Sequence, residues 1–161
     1  MPTALGLTAD SKTKTSSSTS MGGNGRLNTI SKRNHAAARE VETLLWRAMC
    51  DSPEAAKEYL AEDCIMINPL FAGSNEPLTK SSEPSIEQVL EGGEPWTSYR
   101  IHGDPQVVEI DLMAVAVLYR LTLYRQGKKG IQEVEATVSS SWRQTAGADW
   151  LLCAQHVAYA D

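Results

Sequence analysis

The sequence predicts an α+β domain in which helices come first and a curved antiparallel sheet follows. Three observations predict it. Residues Ala114 to Gln126 and Glu133 to Gln144 alternate as strands do, Asp149 to Tyr159 adds a further run after a short turn, and every helical pattern precedes these runs. A curved sheet that follows helices points to an α+β domain wrapped around an interior pocket. With 161 residues and 42% apolar composition the chain fits one ordinary core, expected over residues 34–161 behind a tail at residues 1–33.

The tail is dense in Ser and Thr, carries Gly22-Gly23-Asn24-Gly25 and lacks a sustained apolar period. Such a segment buries too little surface to offset the entropy of ordering, and it is expected to be disordered. Its glycine run has no preceding strand and no Lys-Ser/Thr after it, so it is not a phosphate loop. A basic, Ser-rich, acid-poor start also fits an organelle transit peptide, but the amphipathic helix that such a peptide needs is not evident.

Order is expected from Asn34, an N-cap for a helix to about Cys50. Val41, Leu44, Leu45, Ala48 and Met49 repeat at helical spacing and give it an apolar face, while Arg39, Glu40, Glu42 and Arg47 lie largely elsewhere around it. Ser52-Pro53 reads as the N-cap and first-turn proline of a short helix through Tyr59 and Leu60. Asp63 closes the connection into a strand, Cys64 to Asn68, which Pro69 and Gly73 terminate. The polar, proline-punctuated stretch from Gly73 to Pro84 is a loop near the pocket mouth. Ser85 to Leu90 forms a short helix stopped by Gly92-Gly93. Trp96 to His102 and Val107 to Ile110 are strands joined at Gly103-Asp104-Pro105, and a turn at Asp111 leads into the long strands, for about six in all.

Composition excludes several functions. Residues 1–35 hold Lys12, Lys14, Arg26, Lys32 and Arg33 against Asp10 alone, a net of +4, so the rest of the chain carries −9 of the total −5. An acidic domain repels phosphate backbones, and no nucleic acid is expected as partner. No apolar run approaches a membrane span, so no membrane is expected either. Cys50, Cys64 and Cys153 are odd in number, far apart and without a CxxC pair or a histidine cluster, which reads as reduced thiols in a cytoplasmic compartment and no metal site. Nothing points to a flavin, nucleotide or other cofactor.

Facing predicts an assembly. In the strand from Glu133, Val134, Ala136, Val138 and Trp142 share a core parity with Ser140, while Glu133, Glu135, Thr137, Ser139, Ser141 and Arg143 take the wetter one. In the strand from Ala114, Val115, Val117, Tyr119, Leu121 and Leu123 form one apolar row, yet Ala114, Ala116 and Leu118 make the opposite face apolar too. Helices cover the concave side, which leaves the convex side to a second copy of the chain, and a homodimer is expected.

The order of two helices, a strand ending in Asn68-Pro69, a short helix, and strands ending in Ser140-Ser141-Trp142 and Trp150-Leu151-Leu152 resembles the nuclear transport factor 2-like superfamily over about residues 36–159. Ala61-Glu62-Asp63 and Val117-Leu118-Tyr119-Arg120 add to the likeness, which is nearest to the SnoaL-like domains and an uncharacterised branch. The resemblance implies a cone, a bent sheet wrapped around a long helix, commonly dimeric, with a pocket opening at the wide end. It also implies a range of activities, from ketosteroid isomerases, polyketide cyclases and dehydratases to proteins without catalysis. Many relatives carry His, then a polar residue, then Thr or Ser in the last strand; here the order is Gln155-His156-Val157-Ala158.

The candidate site residues follow. His156 shares parity with Trp150, Leu152 and Ala154, which points it into the pocket as a donor or general base; a structural histidine is the plainer alternative. Tyr119, or Asn68, is placed to polarise a carbonyl oxygen beside it. Tyr59, Met66, Asn68, Trp96 and Trp142 are candidate ligand contacts, with core packing, or a turn before Pro69 for Asn68, as the alternative. Trp46 and Trp150 join the other tryptophans as ligand wall or core. His102 is expected to be exposed beside its turn. Asp51, Asp63, Asp104 and Asp111 fall at ends and turns and the two strand glutamates on the wetter parity, so no buried acid is expected for isomerase chemistry. The reading is a domain that binds a small apolar molecule, without assigned catalysis. Its alternative is a His156-assisted isomerase, cyclase or dehydratase acting on a small carbonyl compound.

Overall fold

The computed structural model describes residues 17–160. The chain divides into two compact units, residues 1–33 and 34–161. Of the tail expected over residues 1–33, residues 1–16 lie outside the described residues. Helix α1 runs Ser17–Asp51, so it begins well before Asn34. A helix already formed adds turns without repeating the cost of nucleation, and no proline interrupts this segment, so its polar, glycine-bearing start needs no apolar period of its own.

Elements of the second unit follow the expected order. A 3-10 helix, Pro53–Tyr59, opens on Ser52 with proline in its first turn. Strand β1, Leu60–Ile67, starts four residues earlier than Cys64. Asn68 ends it by capping helix α2, Pro69–Ala72, whose C-cap Gly73 takes the left-handed conformation at φ 72° that a side chain would resist. Helix α3, Ile86–Glu91, carries a full capping box between Ser85 and Gln88. Strands β2, Ser98–Ile101, β3, Gln106–Asp111, β4, Ala114–Gly127, β5, Gly130–Gln144, and β6, Trp150–Tyr159, complete the unit.

The strands form one curved, unclosed six-stranded sheet in the order β1-β6-β5-β4-β2, with β3 also paired to β4. All pairs are antiparallel except β1 and β6, which run parallel, a departure from the purely antiparallel sheet expected. The inner face of β4 is the expected row: Val115, Val117, Tyr119, Leu121 and Leu123 are all buried. Against it lies the part of α1 that presents Asn34, Ala38, Glu42, Leu45, Trp46 and Met49, all buried. These positions recur at helical spacing, and each fully buried Leu, Met or Trp contributes about 2 kcal/mol of hydrophobic stabilisation. The buried stripe is rotated from the expected face, since Val41, Leu44 and Ala48 are only half-buried.

On β6 an extra residue changes the facing. Ser141 pairs with Ala154 while Trp142 pairs with Leu152, so Cys153 has no partner of its own and forms a bulge. Beyond the bulge Gln155 and Val157 are buried and Ala154 and His156 are exposed. His156 therefore does not share a face with Leu152, and the inward placement expected for it is corrected. Among the described residues no helix is long and apolar enough to cross a membrane.

Candidate functional site

The inner face holds a carboxyl that the sequence reading placed elsewhere. Glu42 sits on the buried stripe of α1, one turn before Trp46, and has no exposed surface. Its Oε1 accepts from the hydroxyl of Tyr119 and its Oε2 accepts from Trp142 Nε1 at 2.5 Å. Tyr119 Oη in turn accepts from Trp46 Nε1 at 2.5 Å. Ser140 bonds the same carboxyl and accepts from Gln155 Nε2 at 3.1 Å. Helix α1 and strands β4, β5 and β6 thus meet in one polar chain inside an apolar core. The expectation that the domain buries no acid is overturned.

Burial pushes the carboxyl of Glu42 above the usual glutamate range, and the bonds from Tyr119, Trp142 and Ser140 pull it back down. Burial first, then the Glu42 charge, drives the Tyr119 hydroxyl well above the usual tyrosine range. A desolvated acid beside a tyrosine is a recognised sign of acid–base chemistry. Access argues otherwise here. Glu42, Trp46 and Trp142 have zero exposure and Ser140 only 1%, so no water-sized space touches the carboxyl, and protein donors already occupy both of its oxygens. In this state the group pins the helix to the sheet.

The residues expected at the site separate into four sets. Tyr119 and Trp142 meet on Glu42. Met66 and Asn68 lie buried on the inward side of β1, where Met66 pairs with Gln155. Asn68 acts as a cap, its Oδ1 accepting from Leu70 N at 3.1 Å, and its Nδ2 is buried without a partner. Trp96 and Tyr59 stand apart from Glu42 in their bonding: Trp96 is buried with the Arg125 guanidinium 3.7 Å above its ring, and Tyr59 is half-buried at the end of the 3-10 helix. His156 is exposed on the outer face, its pair partners Ser139 and Ile67.

Gln155 is the other residue that strand parity concealed. Its Nε2 goes to Ser140, and its Oε1 is buried and unpartnered. His102 is half-buried, not exposed, with Nε2 2.7 Å from Thr122 Oγ1, which donates to Glu135 at 2.8 Å. Asp63, expected at a connection, lies within β1, exposed and paired with Arg143 at 2.7 Å. Among the described residues no group of three His, Cys, Asp or Glu side chains could hold a metal ion.

The outer face is the second feature with functional content. Val108, Ala116, Ser141, Ala154 and Ile65 are consecutive partners across β3, β4, β5, β6 and β1. The next ladder reads Gln106, Leu118, Ser139, His156 and Ile67. Neither ladder holds an Asp, Glu, Lys or Arg. Ile65, Val108 and Leu118 are 43 to 55% exposed, with Ile110 beside them at 60%.

No family model matches the sequence, and no curated protein does. Solved structures do. A scytalone dehydratase-like protein of Novosphingobium aromaticivorans superposes at a TM-score of 0.66 and 12% identity, over 83% of this chain and 89% of that one. The association domain of C. elegans CaMKII gives 0.63 at 16%, over 81% and 98%. A nuclear transport factor 2-like superfamily protein of Salmonella enterica gives 0.60 at 10%, over 84% and 94%. The domain has the nuclear transport factor 2-like fold.

Proposed function

We propose, with the nuclear transport factor 2-like fold as premise, that this domain is a non-catalytic association module that forms a homodimer through the outer face of its sheet. The observation that carries the reading is the uncharged ladder Val108–Ala116–Ser141–Ala154–Ile65. Small residues at its centre let a second sheet approach to the usual packing distance, and larger apolar residues at its ends add buried area. The adjoining ladder that starts at Arg120 brings charge back, which matches an interface with an apolar centre and a polar rim. The patch belongs to one copy and faces outward, so a two-fold axis matches it to itself. The name of a neighbour in the fold, an association domain, supports the same reading.

The closed state of Glu42 supports the non-catalytic part. Light scattering on the purified chain tests the assembly: the expected mass at micromolar concentration is twice that of the chain, and a monomer throughout the accessible range contradicts it.

A second reading has its own observation. The partnerless Asn68 Nδ2, a donor, is buried just past the end of β1, and Gln155 Oε1, a partnerless acceptor, is buried on the neighbouring strand β6. A small molecule with a hydroxyl or amide beside an apolar body, packed on Met66, answers both. Since the inner face is closed around Glu42, such a ligand enters only when α1 and the sheet part. Native mass spectrometry of protein from its own host reads this directly: an added small-molecule mass supports the reading, and a bare chain in every preparation removes it.

A further inference from the structure

The chain holds three histidines, and the fold gives them different surroundings. His35 Nε2 stands 3.5 Å from a Glu109 oxygen, and His102 Nε2 stands 3.5 Å from a Glu135 oxygen. Each of these rings has a carboxylate to answer a proton it gains. His156 differs: it is exposed on the outer face of β6, and among the described residues no carboxylate pairs with it.

Its neighbours on every side are uncharged. Ala154 and Ala158 flank it on β6, Ser139 and Ile67 pair with it from β5 and β1, and Ser141, Thr137 and Ile65 fill the diagonal positions. None of these side chains titrates. Helix α2, also packed on β6, carries no charge, and the 3-10 helix, with Glu54, Lys57 and Glu58, runs directly into Leu60, the partner of Leu152 beyond the Cys153 bulge. Past β1, the segment bridged at Met66 and Leu78 holds Glu76 and Lys80, and Lys80 is taken up by Glu62 at 2.9 Å. Toward β4 the first charge is Arg120, which pairs with Thr137, the partner of Ala158, and lies 3.8 Å from Glu135.

Resting on the homodimer proposed above, we infer that His156 makes the assembly acid-labile: the two sheets close over neutral rings, and protonated rings part them. The serine hydroxyls at 139 and 141 suit the donor and acceptor of a neutral imidazole but carry no charge to offset a proton. Closing the interface removes water from the ring, so the dimer holds the neutral form. Separate chains leave the ring in water, where it accepts a proton freely. Monomers therefore bind more protons than the dimer, and by linkage a fall in pH shifts the equilibrium to monomers. Histidine is the side chain that ordinarily changes its charge across the neutral range, which places the shift there. Two-fold symmetry buries the same ring in both copies, so about tenfold per ring, one pH unit below its titration, becomes about a hundredfold for the pair.

Sedimentation velocity of the full chain at about pH 8 and about pH 5.5 reads the switch, with circular dichroism alongside to follow the fold. The native chain is expected to be a dimer at the higher pH, with a dissociation constant at least about tenfold larger at the lower pH and an unchanged dichroism spectrum. His156→Gln keeps a neutral polar side chain at an exposed position, and His156→Phe keeps the ring area should the amide pack poorly. At least one of them is expected to dimerise at both pH values with constants within about threefold of each other. His102→Gln is expected to retain the native response. A native chain that is monomeric at the higher pH removes the homodimer and the switch together. The switch alone is overturned, with the homodimer left standing, by a native dimer equally tight or tighter in acid, by dissociation that comes with loss of the fold, by His156 variants that still part in acid or never dimerise, or by loss of the response in His102→Gln.

Discussion

On the inner face of the sheet a carboxyl and two indoles lie at zero exposure with a tyrosine hydroxyl among them, whereas on the outer face Val108, Ile110 and Leu118 are left 43 to 60% exposed. Each face inverts the usual rule for its surroundings. A buried polar group is tolerated when every partner is satisfied, and Glu42 meets that condition through Tyr119, Trp142 and Ser140. Exposed apolar groups on one face need a cover, and no element of the described residues supplies it to the ladder from Val108 to Ile65. The contrast separates the two roles: the inner face holds the fold in register, and the outer face is available for assembly.

The contrast breaks most severely at Glu42. Glu42→Ala leaves the Tyr119 hydroxyl and Trp142 Nε1 buried without an acceptor, and a loss of about 3 kcal/mol of folding stability is expected from urea unfolding. Tyr119→Phe removes one donor to the carboxyl and the acceptor of Trp46, and about 1–2 kcal/mol is expected by the same method. A comparable loss from substitution at an exposed outer position such as Leu118 would erase the distinction between the faces.

A smaller effect comes from pH. Burial raises the folded-state pKa of Glu42 above its unfolded value. The folded chain therefore keeps a proton where the unfolded chain has released it. This contribution to stability is fully present below the ordinary glutamate pKa, is lost as pH rises through the raised folded value, and is constant above it. Urea midpoints measured across the acid-to-neutral range are expected to show this decline on top of the other titrations. Glu42→Gln is expected to remove it, and an identical pH profile in that variant sinks the assignment.

What the sequence disclosed and what it concealed differ for physical reasons. The core parity of β5 was legible down to Ser140, a polar residue whose place in the row proved to be a buried one, because no bulge interrupts the pairing of β4 with β5. His156 was misplaced because one unpaired residue, Cys153, reverses the facing of everything after it, and alternation counts cannot see a bulge. Glu42 was missed because the apolar stripe of α1 was drawn through Val41 and Leu44. The signal that could have found it was a glutamate at helical spacing among Ala38, Leu45, Trp46 and Met49. Asn68 combines both outcomes, since its cap on α2 follows from the Asn-Pro pair while the isolation of its Nδ2 depends on tertiary packing.

The outer-face claim is tested most directly by sedimentation velocity on the native chain beside an Ala154→Arg variant, over a range of concentrations. Ala154 is exposed at the centre of the uncharged ladder, so the substitution leaves the monomer within about 0.5 kcal/mol of its stability while burying a like charge in each half of the interface. The expected result is a dimer for the native chain and a folded monomer for the variant. A native monomer, or a variant that sediments as the same dimer, contradicts assembly through this face.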